Sequence, residues 1–173
     1  GNGLIPVEYD RFYWQRKGLY WLSKDSVMYL LDAESSVIDS LRDGELILPS
    51  SINDPVGLFA NRSVQYYDAN GEKVGPLYSI HATRSATRDK PNRFKNGLCI
   101  VHNGSHFGMI NSKNEILVPF EYQYISSPSS IGTCIAEKEN QFGLIDTNNQ
   151  IILPFRNRPI PFNYSNELAL EKA

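Results

Sequence analysis

The sequence predicts an all-β fold of tandem antiparallel β-meander repeats of about 35 residues, arranged as a propeller-like curve or an open solenoid. Three observations support this prediction. Residues 97–119 recur as residues 132–154, 35 positions later and without a gap. Within each copy, apolar side chains alternate with a period of two, as they do in half-buried strands. Aromatic residues form 12% of the chain, which favours strands over helices.

Each of the two clear copies contains three short strands. The first begins at a glycine, the second carries an aromatic-glycine pair, and the third ends at a proline, which cannot donate to a sheet. We expect the mid-strand glycine to leave room for a large side chain of a neighbouring strand, and the Phe to fill the core. These landmarks are Gly97, Phe107-Gly108 and Pro119 in one copy, and Gly132, Phe142-Gly143 and Pro154 in the other.

An Asp or Asn follows the second strand of each copy and opens a short polar turn. Such side chains accept hydrogen bonds from their own backbone and tolerate left-handed conformations. The turns begin at Asp32, Asp68, Asn111 and Asp146, spaced by 36, 43 and 35 residues. Two further, less regular copies are therefore predicted in the first half of the chain.

The second of these irregular copies has two candidates for its first strand, while its second strand is Val64–Tyr67. Residues 41–48 resemble residues 94–101, whereas Val56–Ala60 better fits the spacing to the second strand. We favour residues 41–48 followed by an inserted loop. The strands of the first irregular copy begin at Gly18, Met28 and Val37.

We expect a single repeat domain over residues 1–173. The cut repeats at its two ends leave two arrangements open: a segment of a longer array, which we favour, or a ring closed by pairing of the terminal strands. The predicted parts are a partial repeat at 1–12, repeat 1 at about 13–40, repeat 2 at 41–76, an insertion at 76–93, repeat 3 at 94–125, repeat 4 at 129–160 and a partial repeat at 164–173.

The composition argues against several classes of partner. There are 17 Lys and Arg against 19 Asp and Glu, a net charge of −2, so no general positive field attracts nucleic acid. No apolar run is long enough to span a membrane. No residues with metal-ligand or phosphate-loop spacing occur, so we expect neither a metal nor a cofactor.

The landmarks resemble those of the WG-repeat family of bacterial proteins, also called KWG repeats. The resemblance is strong over residues 94–155 and weaker before them; Phe stands in place of the signature Trp, and the first half lacks the aromatic-glycine pair. The resemblance implies tandem all-β units used for binding or scaffolding, without a family-wide catalytic residue. The matching residues are Phe94, Gly97, Leu98, Phe107, Gly108, Ile110, Asn111, Ile116, Val118, Pro119 and Tyr122, then Gly132, Phe142, Gly143, Ile145, Asp146, Ile151 and Pro154.

Two groups of side chains are candidate binding residues. Tyr13 and Trp14 lie in a predicted connector, where an exposed aromatic patch suits contact with carbohydrate or protein. Arg84, Arg88 and Lys90 belong to the basic insertion, which offers a site for an anion or a partner. Packing of the aromatic rings and solvation of the loop are the competing structural explanations.

The Cys and His residues favour structural roles. Cys99 and Cys134 occupy one repeat position, and we expect two free, buried thiols. His102 and His106 flank a hairpin tip without a third ligand, so a solvated turn is predicted there instead of a metal site.

The sequence therefore predicts a non-catalytic repeat domain that binds another protein. Binding of a carbohydrate or a cell-envelope polymer is the alternative. An enzyme is disfavoured because no cluster of acids, bases or nucleophiles has a meaningful spacing. Among locations, the bacterial periplasm or cell surface is slightly preferred, with a leader peptide removed.

Overall fold

The structure, a computed structural model, describes residues 8–80, 92–158 and 160. These residues form antiparallel strands and no helix, so the predicted all-β class of tandem meanders is confirmed. Among them there is accordingly no helix able to span a membrane. The chain divides into two compact units. In described residues, the first unit comprises 8–78 and 92–97, and the second comprises 79–80, 98–158 and 160.

The first compact unit contains two meanders. Strands follow each other along the chain and pair with their sequence neighbours, in the order β1-β2-β3-β4 in one sheet and β5-β6-β7-β8 in the other. The strands are β1 (Arg11–Arg16), β2 (Leu19–Lys24), β3 (Val27–Leu31), β4 (Val37–Arg42), β5 (Glu45–Ile47), β6 (Val56–Ala60), β7 (Ser63–Tyr67) and β8, which begins in this unit (Lys73–Ser79).

The second compact unit repeats this organisation. Three of its strands pair in the order β9-β10-β11, and the remaining four pair in the order β12-β13-β14-β15. The strands are β9 (Leu98–His102), β10 (Phe107–Asn111), β11 (Ile116–Tyr122), β12 (Tyr124–Ile125), β13 (Thr133–Lys138), β14 (Gln141–Asp146) and β15 (Ile151–Arg156). Strands β1, β5 and β12 each add a strand, so that these meanders have four strands where two or three were expected.

The first strand of repeat 2 is β6, so the preference for residues 41–48 was wrong. Strand β6 pairs with β7 from Val56↔Tyr67 to Ala60↔Ser63. The two residues between these strands, Asn61 and Arg62, have φ values of 49° and 59°, which a two-residue hairpin turn requires. Residues 41–48 instead contain the end of β4 and the whole of β5.

A β-bulge recurs in the third strand of three repeats. In repeat 1, Leu30 pairs with Asp39 and Leu31 pairs with Val37, which leaves Ile38 as the extra residue. Leu117 and Ile152 are the extra residues at the equivalent places in β11 and β15. A bulge increases the local twist and bends its strand. The repeat is therefore one of backbone geometry as well as of side-chain pattern.

The four Asx turns share one hydrogen-bond pattern, as the sequence predicted. Each Oδ1 accepts the backbone N–H groups two and four residues later, at 2.8–3.0 Å. The residue three positions after each Asx has a positive φ, between 63° and 83°. The side chain thus satisfies the backbone of a turn that also needs a left-handed residue. The turns begin at Asp32, Asp68, Asn111 and Asp146.

The predicted role of the mid-strand glycines is confirmed. A Cβ on Gly108 would lie 2.8 Å from the Val118 carbonyl oxygen and 3.0 Å from the Phe120 ring. A Cβ on Gly143 would meet the Phe155 ring at 2.9 Å. Because the third strand crosses so closely, only glycine fits.

The hydrophobic cores lie between neighbouring meanders of each unit. The core of the second unit includes Phe107, whereas the equivalent Phe142 is only half-buried. Cys99 and Cys134 are buried free thiols, as predicted. The core of the first unit contains Leu19, Trp21, Met28, Leu30, Val56, Leu58 and Tyr67.

Candidate functional site

The predicted aromatic pair lies in strand β1, not in a connector. Tyr13 is 44% exposed at an irregularity of the β1–β2 register, and the adjacent Phe12 is exposed as well. The backbone of Trp14 pairs with Trp21. An exposed aromatic surface therefore exists on this strand.

The second predicted group lies outside the described residues. Arg84, Arg88 and Lys90 all fall within residues 81–91. The flanks of the predicted insertion are described: residues 76–79 continue strand β8, and Asn92 and Arg93 are exposed. The basic group stays a prediction.

The hairpin with two histidines differs from expectation at His102. Its side chain is 5% exposed, and its ring contacts the edge of the Phe107 ring at a centroid distance of 4.7 Å. The His102 Nδ1 accepts the Gly104 N–H at 3.1 Å. A solvated position was wrong for His102 because the tight turn folds its ring onto β10. Within the described ranges, no three His, Cys, Asp or Glu side chains are grouped to hold a metal ion.

A cluster of polar side chains that sequence analysis missed lies in the first compact unit. Asp39 on β4 accepts a hydrogen bond from the Tyr67 hydroxyl of β7 at 2.5 Å. The same oxygen, Oδ2, lies 2.9 Å from the Nζ of Lys73 at the start of β8. The other oxygen, Oδ1, accepts the Ser40 N–H at 2.8 Å. We call Asp39, Tyr67 and Lys73 the polar triad.

Electrostatics within the polar triad favour an ionised carboxylate. Burial raises the pKa of Asp39, but the hydrogen bonds from Tyr67, Lys73 and the Ser40 amide outweigh burial and hold the pKa below its ordinary value. Burial and the hydrogen bond to Asp39 both raise the pKa of Tyr67, which therefore keeps its proton at neutral pH. The triad carries one negative and one positive charge.

The polar triad lies on the wall of a cavity of about 380 Å³. The lining combines polar and aliphatic side chains, a combination common in ligand sites. All lining residues belong to the first compact unit. Besides the triad they are Ser40, Leu41, Leu58, Ala60, Asn61, Ser63, Gln65 and Leu77.

The triad could have been found in the sequence by aligning the four Asx turns position by position. Asp39 is seven residues after Asp32, where repeats 3 and 4 have Val118 and Leu153. Lys73 and Tyr67 also stand at positions that are aliphatic in the other repeats. The departures at Tyr67 and Lys73 are from a residue type that the other three repeats share, whereas at the position of Asp39 repeat 2 has Gly75.

A second cavity, of about 350 Å³, is lined by Arg16, Lys17, Ile52 and Asn53. Arg16 is buried, and its Nη1 donates to the Asp54 carbonyl oxygen at 2.8 Å. Burial lowers the pKa of Arg16, while the charges of Asp68 and Asp54 act in the opposite direction.

Exposed aliphatic side chains recur at one position of the repeat, the fifth after the Asx. Val37, Ile116 and Ile151 occupy this aliphatic position and are 54%, 59% and 62% exposed. Each begins a third strand and pairs with a buried residue of the second strand. The sequence pattern indicated strands here but did not predict exposure.

Comparison with known proteins gives one family match and several distant structural likenesses. Residues 107–141 match the family model described as WG containing repeat. No curated protein matches the chain.

Three solved structures illustrate the distant likenesses. Hsv2 from Kluyveromyces lactis is 8% identical, with 88% of this chain and 52% of that chain covered and a TM-score of 0.45. The WD40 domain of SCAP from fission yeast is 12% identical, with 84% and 44% covered and a TM-score of 0.38. A protein of unknown function from Bacteroides caccae is 14% identical, with 85% and 64% covered and a TM-score of 0.32.

These likenesses transfer no function to this chain, which spans about half the length of the Hsv2 chains it matches. The family match concerns a defined segment of the sequence. This segment runs from the aromatic-glycine pair of β10 to the hairpin between β13 and β14. Residues 107–141 are therefore similar to a WG containing repeat, which supports the resemblance of this chain to the WG-repeat family.

Proposed function

We propose that this chain is a non-catalytic repeat domain that binds another protein through the aliphatic position. The observation that carries the proposal is the recurrent exposure of Val37, Ile116 and Ile151. Scattered exposed aliphatic residues are normal on any protein. Three at one repeat position are better explained by a shared role, since full burial of each by a partner would contribute about 1.5–3 kcal/mol.

The chemistry of the described groups supports a binding role over a catalytic one. Burial, with a smaller contribution in the same direction from the Asp146 carboxylate, raises the pKa of Cys134 to about 12. This thiol is therefore protonated at neutral pH and is a poor nucleophile. In the polar triad, the Asp39 carboxylate is engaged by the Tyr67 hydroxyl and by Lys73.

The test compares two double variants of equal chemistry. Ile116→Thr with Ile151→Thr removes the aliphatic position of the second compact unit while keeping β-branched side chains. Ile52→Thr with Ile131→Thr is the matched control, since both residues are exposed but lie outside the aliphatic position. Partners captured from the native organism are identified, and their affinities are then measured with purified proteins.

We expect the Ile116/Ile151 variant to bind its partner at least about tenfold more weakly, because about 1.4 kcal/mol corresponds to a factor of ten. The control variant should keep wild-type affinity. Equal affinities of both variants for every partner would refute the role of the aliphatic position.

Carbohydrate binding is the second candidate, and the exposed Phe12 and Tyr13 of β1 favour it. Aromatic rings on a surface stack against sugar faces. A glycan array with wild-type protein and with Tyr13→Ala and Trp14→Ala variants tests this candidate. Binding that both substitutions abolish would support it, and an array without signal would remove it.

The basic group of the insertion has its own test. Arg84, Arg88 and Lys90 are replaced together by Ser, and the affinity for the captured partner is measured at several salt concentrations. A weaker affinity with a smaller salt dependence would support a role for these side chains. The group has no role in recognition if partner affinity and its salt dependence are unchanged.

A further inference from the structure

We propose that the cavity beside the polar triad binds a carboxylate group carried on a short aliphatic chain. The site lies in the first compact unit and consists of Lys73 as the anion-binding group together with aliphatic lining residues. It does not rest on the protein-binding function of the aliphatic position.

The first argument is the departure of the triad from the repeat. Tyr67 stands where the other repeats have the buried residues Leu31, Ile110 and Ile145. Lys73 replaces a β-branched aliphatic residue, and Asp39 stands where repeats 3 and 4 have an aliphatic residue and repeat 2 has Gly75. The three residues that depart from the repeat thus lie together: Tyr67 and Lys73 are both within hydrogen-bonding distance of the Asp39 carboxylate.

Stability alone does not account for this meeting. A partly exposed ion pair contributes little, because water and salt screen it. Aliphatic residues at the positions of Asp39 and Tyr67 form packed core in the second unit, where Val118 and Ile145 are fully buried. Asp39 therefore places a charge where repeat 3 packs an aliphatic side chain, whereas Tyr67 remains part of the core of the first unit. A charged residue in place of a core residue is the pattern expected at a functional site.

The second argument is the inventory of donors and acceptors. The two oxygens of Asp39 already accept three hydrogen bonds, from Tyr67, Lys73 and the Ser40 amide. The Lys73 ammonium has three N–H donors, and within the described part of the chain its ion pair is with Asp39. Its side chain is 60% exposed. The Lys73 ammonium thus retains N–H donors for a ligand, while three of the roughly four acceptor sites of the Asp39 carboxylate are already in use.

Two further lining residues add polar contacts. Ser63 supplies a hydroxyl, and Asn61, in the β6–β7 turn, supplies an amide. The side-chain nitrogen of Gln65 is already used, because it donates to the carbonyl oxygens of Tyr66 and Gly75. A carboxylate accepts from an ammonium, an amide and a hydroxyl together. Because Lys73 and Asp39 carry opposite charges, the hydrogen-bond donors select the ligand, and a net charge does not.

The third argument is the apolar wall, which selects the rest of the ligand. Leu58 and Ala60 of β6, with Leu41 and Leu77, are the aliphatic part of the lining. Burial of methylene groups against these side chains is favourable because it removes apolar surface from water. The cavity of about 380 Å³ accommodates a short branched acid. Both a free acid and the C-terminal leucine of a peptide have this chemistry.

The test is a titration of the folded chain followed by backbone amide NMR. The probes are 4-methylpentanoate and a pentapeptide ending in leucine, with a free or an amidated C-terminus. We expect shifts at the amides of Ser40, Asn61 and Ser63, with a Kd of about 1 mM for the free acid, as suits so small a ligand. The amidated peptide should not bind, because it lacks the carboxylate.

Two variants should act in opposite directions. Lys73→Ile gives repeat 2 the residue that repeats 3 and 4 carry at this position, so the variant should fold. Its affinity for the free acid should be at least about tenfold lower than that of the wild type. Asp39→Asn keeps the side-chain shape but removes the competing charge, so it should bind several-fold more tightly. Lys138→Ile is the control, since Lys138 pairs with Glu121 at 2.9 Å in the second compact unit.

The outcomes of the titration distinguish the two possible ligands and test the site itself. Binding of the free acid with these variant effects supports the site and assigns it a small carboxylate. Binding of the free-ended peptide alone also supports the site and assigns it a peptide terminus. The proposal is overturned if neither probe shifts these amides, or if Lys73→Ile binds as well as the wild type.

Discussion

The Tyr122 hydroxyl donates a hydrogen bond to the Asn149 side-chain oxygen at 2.6 Å. Tyr122 ends strand β11 of repeat 3, and Asn149 is the left-handed residue of the Asx turn in repeat 4, with a φ of 66°. Lys138 reinforces this link, because its Nζ pairs with Glu121 and lies 5.9 Å from the centre of the Tyr122 ring. The end of one repeat is thus joined to the turn of the next.

Removal of this hydroxyl should loosen the link without altering the core. We expect Tyr122→Phe to lower the free energy of unfolding by about 1 kcal/mol, the usual net value of one hydrogen bond. The change in unfolding free energy is measured by urea unfolding of the second unit within the intact chain. Tyr124→Phe is the control, because in the described structure the Tyr124 hydroxyl makes no hydrogen bond, and it should change stability by less than about 0.5 kcal/mol.

The glycine of the aromatic-glycine pair should not tolerate a methyl group. In Gly108→Ala, the new Cβ would lie 2.8 Å from the Val118 carbonyl oxygen. We expect a loss of about 2 kcal/mol from overpacking, measured by thermal or urea unfolding. At Gly132, where φ is 77° and nothing lies within 4 Å of a Cβ, alanine should cost only about 1 kcal/mol of backbone strain. A larger loss at Gly132 than at Gly108 would contradict the steric explanation.

The Asx side chain should stabilise its turn more than the other side chains of that turn do. Asp146→Ala removes an oxygen that accepts the N–H groups of Asn148 and Gln150, both at 2.8 Å. The exposed turn allows water to replace part of this loss, so we expect about 1 kcal/mol of destabilisation. Asn148→Ala leaves both bonds in place and should be near neutral. Equal unfolding free energies for the two variants would argue against the turn's role.

Acid should remove the contribution of Asp39. Its pKa is lower in the folded chain than the ordinary value of about 3.9, so its charge stabilises the fold above that value. This contribution is lost as the pH falls from about 4 through the folded pKa. The difference in unfolding free energy between wild type and Asp39→Asn should therefore shrink below about pH 4. A difference that is constant from neutral to acidic pH would show that the Asp39 charge does not stabilise the fold.

Local regularities of the chain were predictable because each is fixed by residues close in sequence. The Asx at positions such as Asp32 and Asp146 forms hydrogen bonds within four residues, so its pattern is readable from the sequence. The choice between residues 41–48 and Val56–Ala60 was not local. It depends on which segment pairs with β7, and the Asn61-Arg62 turn lacks the glycine that signals a two-residue hairpin.

The sequence by itself determined the all-β class, the recurring turns and the buried free thiols, because strand alternation, Asx chemistry and repeat spacing act over short distances. Only the tertiary structure decided which side chains meet. Asp39 and Tyr67 are 28 residues apart and come together because β4 and β7 belong to adjacent meanders of one unit. The exposure of Val37 and the burial of His102 were decided in the same way, since burial depends on what packs across a strand.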